Sequence, residues 1–145
     1  MYDPIVFSAY KTSGGSVTVG NYLDNFDKFL TNQGNAFVIS DGIFTAQRTG
    51  TYEFSVSARY YFSSGYSTIS VEKNGVDELK FSNHEKSDDY SYDTLTFSWI
   101  MELKQKDIIR LKVTAGAFYT YGCIFNGKYI WGHAACATYV VLFWL

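Results

Sequence analysis

Apolar and polar side chains alternate along much of this chain with a period of two residues. The pattern is clearest at residues 52–60. There the apolar residues Tyr52, Phe54, Val56, Ala58 and Tyr60 alternate with the polar residues Glu53, Ser55, Ser57 and Arg59. A strand with one buried face repeats its apolar side chains at this interval. The pattern therefore predicts a long β-strand over Tyr52–Tyr60 that turns one face toward a core.

Strand signals continue along the chain and are separated by turn-forming residues. We predict further strands at Val6–Tyr10, Ala36–Ser40, Ile43–Thr45, Ser67–Lys73, Glu78–Phe81, Asp93–Leu103, Ile108–Thr114 and Cys136–Leu145. The turns are predicted at Ser64-Gly65, Asn74-Gly75, Gln105-Lys106-Asp107 and Asn126-Gly127. Because no linker or internal repeat interrupts this series, residues 1–145 are predicted to form a single all-β domain, a sandwich or jelly roll.

The order of the predicted strands also predicts which loops lie together. If consecutive strands run antiparallel, three connections share one end of the sandwich: Phe62–Tyr66, Asn83–Tyr92 and Gly116–Ala135. The turns Asn74-Gly75 and Gln105–Asp107 lie at the other end, with the carboxyl terminus. Long loops on a rigid scaffold commonly carry binding residues, so we expect the functional end at the first group.

The final segment, Tyr139–Leu145, is apolar at every position. A strand with one face in water would have polar residues at every second place. Both of its faces are therefore expected to be covered, one by the sandwich and the other by a further layer or by a neighbouring subunit. With 13 Tyr, 12 Phe and 3 Trp to bury, we expect this cover to come from other subunits, either copies of this chain or a closely related one.

Composition excludes several classes of partner. The 12 basic and 14 acidic residues give a net charge of −2, which provides no field for nucleic acid. The longest apolar run, Ala137 to Leu145 with Thr138 inside it, is about half the length needed to cross a bilayer, so no membrane insertion is expected.

The sequence offers little for catalysis, and we predict that the chain is not an enzyme. His84-Glu85 has no second histidine in the zinc-peptidase spacing, and Gly127-Lys128 lacks the hydroxyl residue that follows in a phosphate-binding loop. The two cysteines, Cys123 and Cys136, are close enough for an intrachain disulfide. Two buried thiols and bonds to another chain are the alternatives.

One constellation of residues resembles the signature of the complement C1q globular-head family. It consists of Phe26, Asn32, Phe37, Phe44, Gly50, Tyr52 and Phe54 at the spacing F-x5-N-x4-F-x6-F-x5-G-x-Y-x-F. The resemblance implies a ten-stranded antiparallel jelly roll, a trimer built like tumour necrosis factor, and secretion into the extracellular space. It also implies that Gly50 allows a tight turn into the long strand. Without a collagen-like stalk, the chain is similar to the stalkless heads of invertebrate defence proteins.

An acidic cluster in the Asn83–Tyr92 region is a candidate metal site. It comprises Glu85, Asp88, Asp89 and Asp93, and oxygen-rich loops of this kind hold calcium in some proteins. We name Asp88 and Asp89 as possible calcium ligands, against the alternative of a solvated acidic loop. No cofactor is otherwise required.

The strongest candidate binding site is rich in aromatic and amide side chains. Seven residues close together in sequence make up this predicted glycan site: Tyr119, Tyr121, Asn126, Lys128, Tyr129, Trp131 and His133. Aromatic rings stack on the apolar faces of sugars, while Asn, His and Tyr hydrogen-bond their polar groups. The same rings would equally suit a buried subunit interface.

Together with the family resemblance, this predicted glycan site favours a multivalent lectin of innate-immune type. Its partners would be glycans on cell or microbial surfaces, which it would agglutinate, with N-acetylhexosamine or sialic acid as the first candidates. The alternative is a protein-ligand module that engages a receptor, as other heads of this kind do at synapses or in hormone signalling.

Overall fold

A computed structural model of the chain describes residues 3–61, 65–83 and 92–132. Within these ranges it contains eleven β-strands. They are β1 (Val6–Tyr10), β2 (Ser16–Thr18), β3 (Lys28–Gln33), β4 (Phe37–Val38), β5 (Ile43–Thr45), β6 (Gly50–Tyr61), β7 (Thr68–Lys73), β8 (Val76–Ser82), β9 (Tyr92–Leu103), β10 (Ile108–Ala115) and β11 (Ala117–Trp131).

The strands form two antiparallel sheets. The front sheet has the order β3-β1-β11-β6-β9, with the short β2 also paired to β11, and the back sheet has the order β4-β5-β10-β7-β8. Neighbouring strands are seldom consecutive in sequence, as in the β1–β11 and β10–β5 pairs. This arrangement confirms the predicted all-β jelly roll.

Aromatic rings from both sheets fill the space between them. Phe7 stacks on Phe37 with ring centroids 4.3 Å apart and meets the ring of Phe125 edge-on at 5.1 Å. Phe44 meets Phe54 in the same way at 5.1 Å. Each such pair contributes about 0.5–1.5 kcal/mol beyond the burial of its surface. Five of the seven signature residues, Phe26, Phe37, Phe44, Tyr52 and Phe54, are buried in this core.

Most predicted strands are present in the structure. β1 and β5 have the predicted bounds, and β4 and β6–β10 differ from them only at their ends. The strands β2 and β3 were not predicted, because their exposed and half-buried residues carry no clear apolar period. The predicted strand Cys136–Leu145 lies outside the described residues.

The largest error concerns Gly116–Ala135, predicted as a loop with a turn at Asn126-Gly127. Most of this segment is β11, a strand of 15 residues in the middle of the front sheet. Gly127 is paired with both Phe7 and Phe54. A Cβ atom there would overlap the Phe7 ring and lie 2.8 Å from that of Phe54. The glycine therefore makes room for two core rings.

Gly50 also has a different role from the one that the resemblance implied. Its backbone is not in the left-handed region, so no tight turn depends on it. A Cβ atom at this position would lie 2.6 Å from the Tyr129 ring and would overlap the Trp131 carbonyl oxygen. Glycine is needed here because β11 passes close to the start of β6.

Replacing Gly127 with alanine tests the position of β11 in the core. We expect Gly127→Ala to lower the free energy of unfolding by about 1–3 kcal/mol, because the methyl group displaces Phe7 and Phe54. Gly15→Ala is the matched control, since nothing lies within 4 Å of a Cβ atom there, and we expect a change within about 0.5 kcal/mol. Urea unfolding measures both. Equal stability of the two variants would contradict this packing.

Candidate functional site

Several connections meet at one end of the sandwich, here called the apical end. Ser67, just before β7, donates its backbone N–H to the Asn83 side-chain oxygen at 2.6 Å. Its hydroxyl donates to the Ala117 carbonyl at 3.2 Å. The Ser67 backbone and side chain thus join the start of β7 to the end of β8 and the start of β11. The start of β7, the end of β8 and the start of β11 therefore lie at one end of the sandwich.

The residues of the predicted glycan site do not lie together at one place on the surface. Six of its residues lie on β11. Tyr119 and Tyr129 pair with Arg59 and Tyr52 of β6, which are roughly 23 Å apart at 3.3 Å per residue. Tyr119 and Tyr121 are near the apical end, whereas Tyr129 and Trp131 are near the opposite, basal end. His133 lies outside the described residues. The prediction treated closeness in sequence as closeness in space, which holds in a compact loop but not along an extended strand.

Asn126 and Lys128 lie on the face of the front sheet that points away from the core. Asn126 accepts a hydrogen bond from the Ser8 hydroxyl and donates one to the Ser55 hydroxyl at 3.1 Å. The Lys128 ammonium is 3.4 Å from the Glu53 carboxylate. These residues line a shallow hollow of about 380 Å³. Their polar groups already have partners across the strands, so they chiefly join β1, β11 and β6.

Tyr129 and Trp131 belong to the basal end. The Tyr129 ring meets Tyr52 edge-on at 5.3 Å, and the Arg48 guanidinium lies 4.4 Å from its centre. Trp131 is 53% exposed. Tyr129 is therefore part of the packing around Tyr52, and neither residue can act together with Tyr119.

The best candidate site at the apical end is a group of three side chains from three strands. Tyr119 of β11 and Tyr92 of β9 have ring centroids 5.4 Å apart. The Arg59 guanidinium of β6 lies 5.2 Å from the centre of the Tyr92 ring. We call Arg59, Tyr92 and Tyr119 the apical aromatic cluster. It borders a hollow of about 250 Å³ lined by Ser16, Tyr92, Ala117, Phe118 and Tyr119.

The side chains of this cluster are exposed enough to solvent for a ligand to contact them. Tyr92 is 49% exposed, and Arg59 and Tyr119 are half-buried. Tyr121, 45% exposed, lies two residues further along β11. Of these residues, Tyr119 and Tyr121 were predicted, whereas Arg59 and Tyr92 were missed. In the sequence, Arg59 is only one polar residue of an alternating strand. Its contact with Tyr92 arises from the pairing of β6 with β9, which the local pattern does not show.

Cys123 projects into the core and is 1% exposed. Among the described residues it is a free thiol. Cys136 itself lies outside the described residues. The bond between the two cysteines therefore stays a prediction. The pleat of β11 turns Cys123 to the same side as the core residue Phe125. Burial raises the pKa of the Cys123 thiol to about 12.

The predicted calcium ligands Asp88 and Asp89 lie outside the described residues. Within residues 3–61, 65–83 and 92–132, no group of three acidic, histidine or cysteine side chains is placed to hold a metal ion. Over the same ranges, no helix has the length and apolar character that crossing a membrane would require.

A second polar cluster lies on the back sheet. The Tyr22 hydroxyl donates to the buried Glu72 carboxylate at 2.8 Å, and the Lys112 ammonium lies 3.7 Å from it. The Arg110 guanidinium stacks 3.5 Å from the centre of the Tyr22 ring. The hydrogen bond to Glu72 raises the pKa of Tyr22. Since these charges and rings pair with one another, we assign the cluster a structural role.

Comparison with known proteins agrees with this architecture. A family model described as the C1q domain matches residues 6–129. The chain belongs to the C1q domain family. This confirms the resemblance drawn from Phe26 to Phe54. Among curated protein sequences, none matches the chain closely enough to count as a relative.

Solved structures share the fold at low sequence identity. The globular domain of the zebrafish complement 1qA protein is 17% identical, with 89% of this chain and 99% of that chain covered and a TM-score of 0.71. The Eiger TNF of S. frugiperda is 12% identical, with 90% and 95% covered and a TM-score of 0.73. Murine APRIL at pH 5.0 is 15% identical, with 89% and 100% covered and a TM-score of 0.66.

Membership of the family gives a general assignment. C1q and TNF-like heads typically form trimers, act outside cells and bind ligands without catalysing reactions. The C1q domain supports a general role for this chain as an interaction module.

The buried Cys123 thiol is expected to be unreactive in the folded protein. At pH 8, a thiol whose pKa is about 12 has almost no reactive thiolate, and the core excludes reagents. In a Cys136→Ser variant, which leaves Cys123 as the single cysteine, iodoacetamide should label the native protein far more slowly than the unfolded protein. Mass spectrometry over time measures the difference. Fast labelling under native conditions would contradict the inward position of Cys123.

Proposed function

We propose that this C1q-family head is a secreted, non-enzymatic lectin that binds simple sugars at the apical aromatic cluster. The observation that carries the proposal is the pair of accessible rings, Tyr92 and Tyr119, beside a hollow at the end where the connections meet. Sugars present apolar C–H faces to such rings, and nearby hydroxyl groups such as that of Ser16 can hydrogen-bond their polar groups.

The size of the hollow limits the ligand. At about 250 Å³ it lies below the roughly 300–1,000 Å³ of pockets that enclose a drug-sized molecule. It therefore suits a single terminal sugar. N-acetylhexosamine and sialic acid remain our first candidates, because their acetamido groups add an apolar methyl and a hydrogen-bonding amide.

Weak single sites need several copies to hold a surface. If one site binds a monosaccharide with a dissociation constant near 1 mM, the binding free energy is only about −4 kcal/mol. A trimer, the usual assembly of this family, would present three equal sites, and linked sites can raise overall binding by about 10²–10⁴. Agglutination of glycan-covered cells is the expected consequence.

Ring removal tests this site. We expect Tyr119→Ala and Tyr92→Ala to weaken binding of a monovalent sugar roughly two- to tenfold, through loss of stacking, and agglutination by more than that. Trp131→Ala is the matched control, because this exposed ring lies at the basal end, and it should bind as the unmodified protein does. Glycan-array screening followed by hapten inhibition, with and without chelator, provides the measurement.

The control also distinguishes the outcomes of this experiment. Loss of binding in Trp131→Ala alone would move the site to the basal end. Failure to bind any glycan would remove the lectin function and leave the general role of an interaction module.

A protein partner is the second candidate. The edge strand β8 exposes Val76 (62%) and Leu79 (36%) beside Asp77 and Lys80, a mixture of apolar and charged groups found on protein-binding surfaces. One stoichiometric partner that is captured in the presence of excess free sugar, and lost in a Val76→Asp variant, would favour this function.

A further inference from the structure

The Arg59 guanidinium in the apical aromatic cluster has no anionic partner among the described residues. No described carboxylate lies within 4.0 Å of it, in contrast to Lys80, Lys112 and Lys128, which each have one. The contact that fixes its position is with the Tyr92 ring, 5.2 Å away. A ring contact leaves the edge of the guanidinium plane, with its N–H donors, available for a ligand.

The surroundings hold this cation in a defined place. Arg59 is paired with Tyr119 on one side and Thr94 on the other, both within the front sheet. It is half-buried, so its charge is less screened by solvent than that of a lysine at the tip of a loop. Because the guanidinium already lies over the Tyr92 ring, a ligand would need to order it less on binding.

We propose that the apical aromatic cluster selects sugars that carry a carboxylate, and that Arg59 binds this group. This inference rests on the proposed lectin function and adds the chemical class of the ligand. The sugar ring packs on Tyr92 or Tyr119, while its carboxylate accepts two parallel hydrogen bonds from Arg59. Arginine and carboxylate match in this geometry because both groups are planar and carry opposite charges.

Other features of the hollow agree with an acidic ligand. Its remaining lining consists of Ser16, Ala117 and Phe118, which bring no negative charge that would repel a carboxylate. When a neutral sugar is bound, the N–H groups of Arg59 would donate their hydrogen bonds to water. An acidic sugar replaces that water with charge-assisted hydrogen bonds, which are roughly twice as strong as neutral ones.

The test compares two sugars that differ at one carbon. D-glucuronic acid carries a carboxylate where D-glucose carries a hydroxymethyl group. We expect the full chain to bind glucuronate about tenfold or more tightly than glucose, as measured by ligand-observed NMR titration. Arg59→Gln should remove this preference, so that glucuronate and glucose bind with similar affinity. Arg59→Lys should keep part of it, because it retains the charge but loses the paired hydrogen bonds.

Controls separate this proposal from effects on folding, charge or assembly. Lys80→Gln removes the same unit of charge from the back sheet and should keep the full preference. Sedimentation velocity and thermal melting should show the same assembly and stability for the variants as for the unmodified chain. If Arg59→Gln does not fold, the partial loss in Arg59→Lys decides the question.

The results distinguish the two proposals from each other. Equal affinity for glucuronate and glucose, or a preference that survives in Arg59→Gln, would overturn the role of Arg59 and leave the lectin function standing. Binding to neither of these sugars nor to any glycan on an array would overturn both.

Discussion

The packing of aromatic rings between the two sheets is the constraint on which the rest of the structure depends. Phe7, Phe37 and Phe125 contact one another, and Phe54 joins them to Phe44. These residues come from five different strands, so none can move without disturbing its neighbours. The same packing requires Gly127 to lie between Phe7 and Phe54. It thereby fixes the register of β11, because a slip by one residue would turn Asn126 into the core.

Much of this architecture could be predicted because burial leaves a period of two in the sequence. The strand around Phe54 alternates regularly over its whole length, and its prediction was correct. β11 also alternates, with Cys123, Phe125 and Gly127 directed inward, but two local signals concealed it. The register shifts between Tyr119 and Ile124, which breaks the period, and Asn126-Gly127 has the composition of a hairpin turn. Long-range packing outweighed that local preference.

The candidate site was harder to predict because its members come from distant parts of the chain. Tyr119 could be chosen from its composition, as one of several rings in a short stretch. Its association with Tyr92 and Arg59 depends on β11 and β9 pairing with opposite edges of β6. No local pattern contains that information. The same strand carries Trp131 to the basal end, so two similar rings have different surroundings for a purely geometric reason.

This separation along β11 bears on how an assembled head would act. Subunits related by rotation about an axis along the sandwich would all direct their apical ends the same way, and their basal ends the opposite way. Rings near Tyr92 would then face one surface together, which multivalent binding requires. The outer face of the front sheet carries Ser8, Ser55 and Asn126 at its centre, already hydrogen-bonded to one another. Under the proposed function, the ligand would therefore be bound at the apical end, where Arg59 has no described anionic partner.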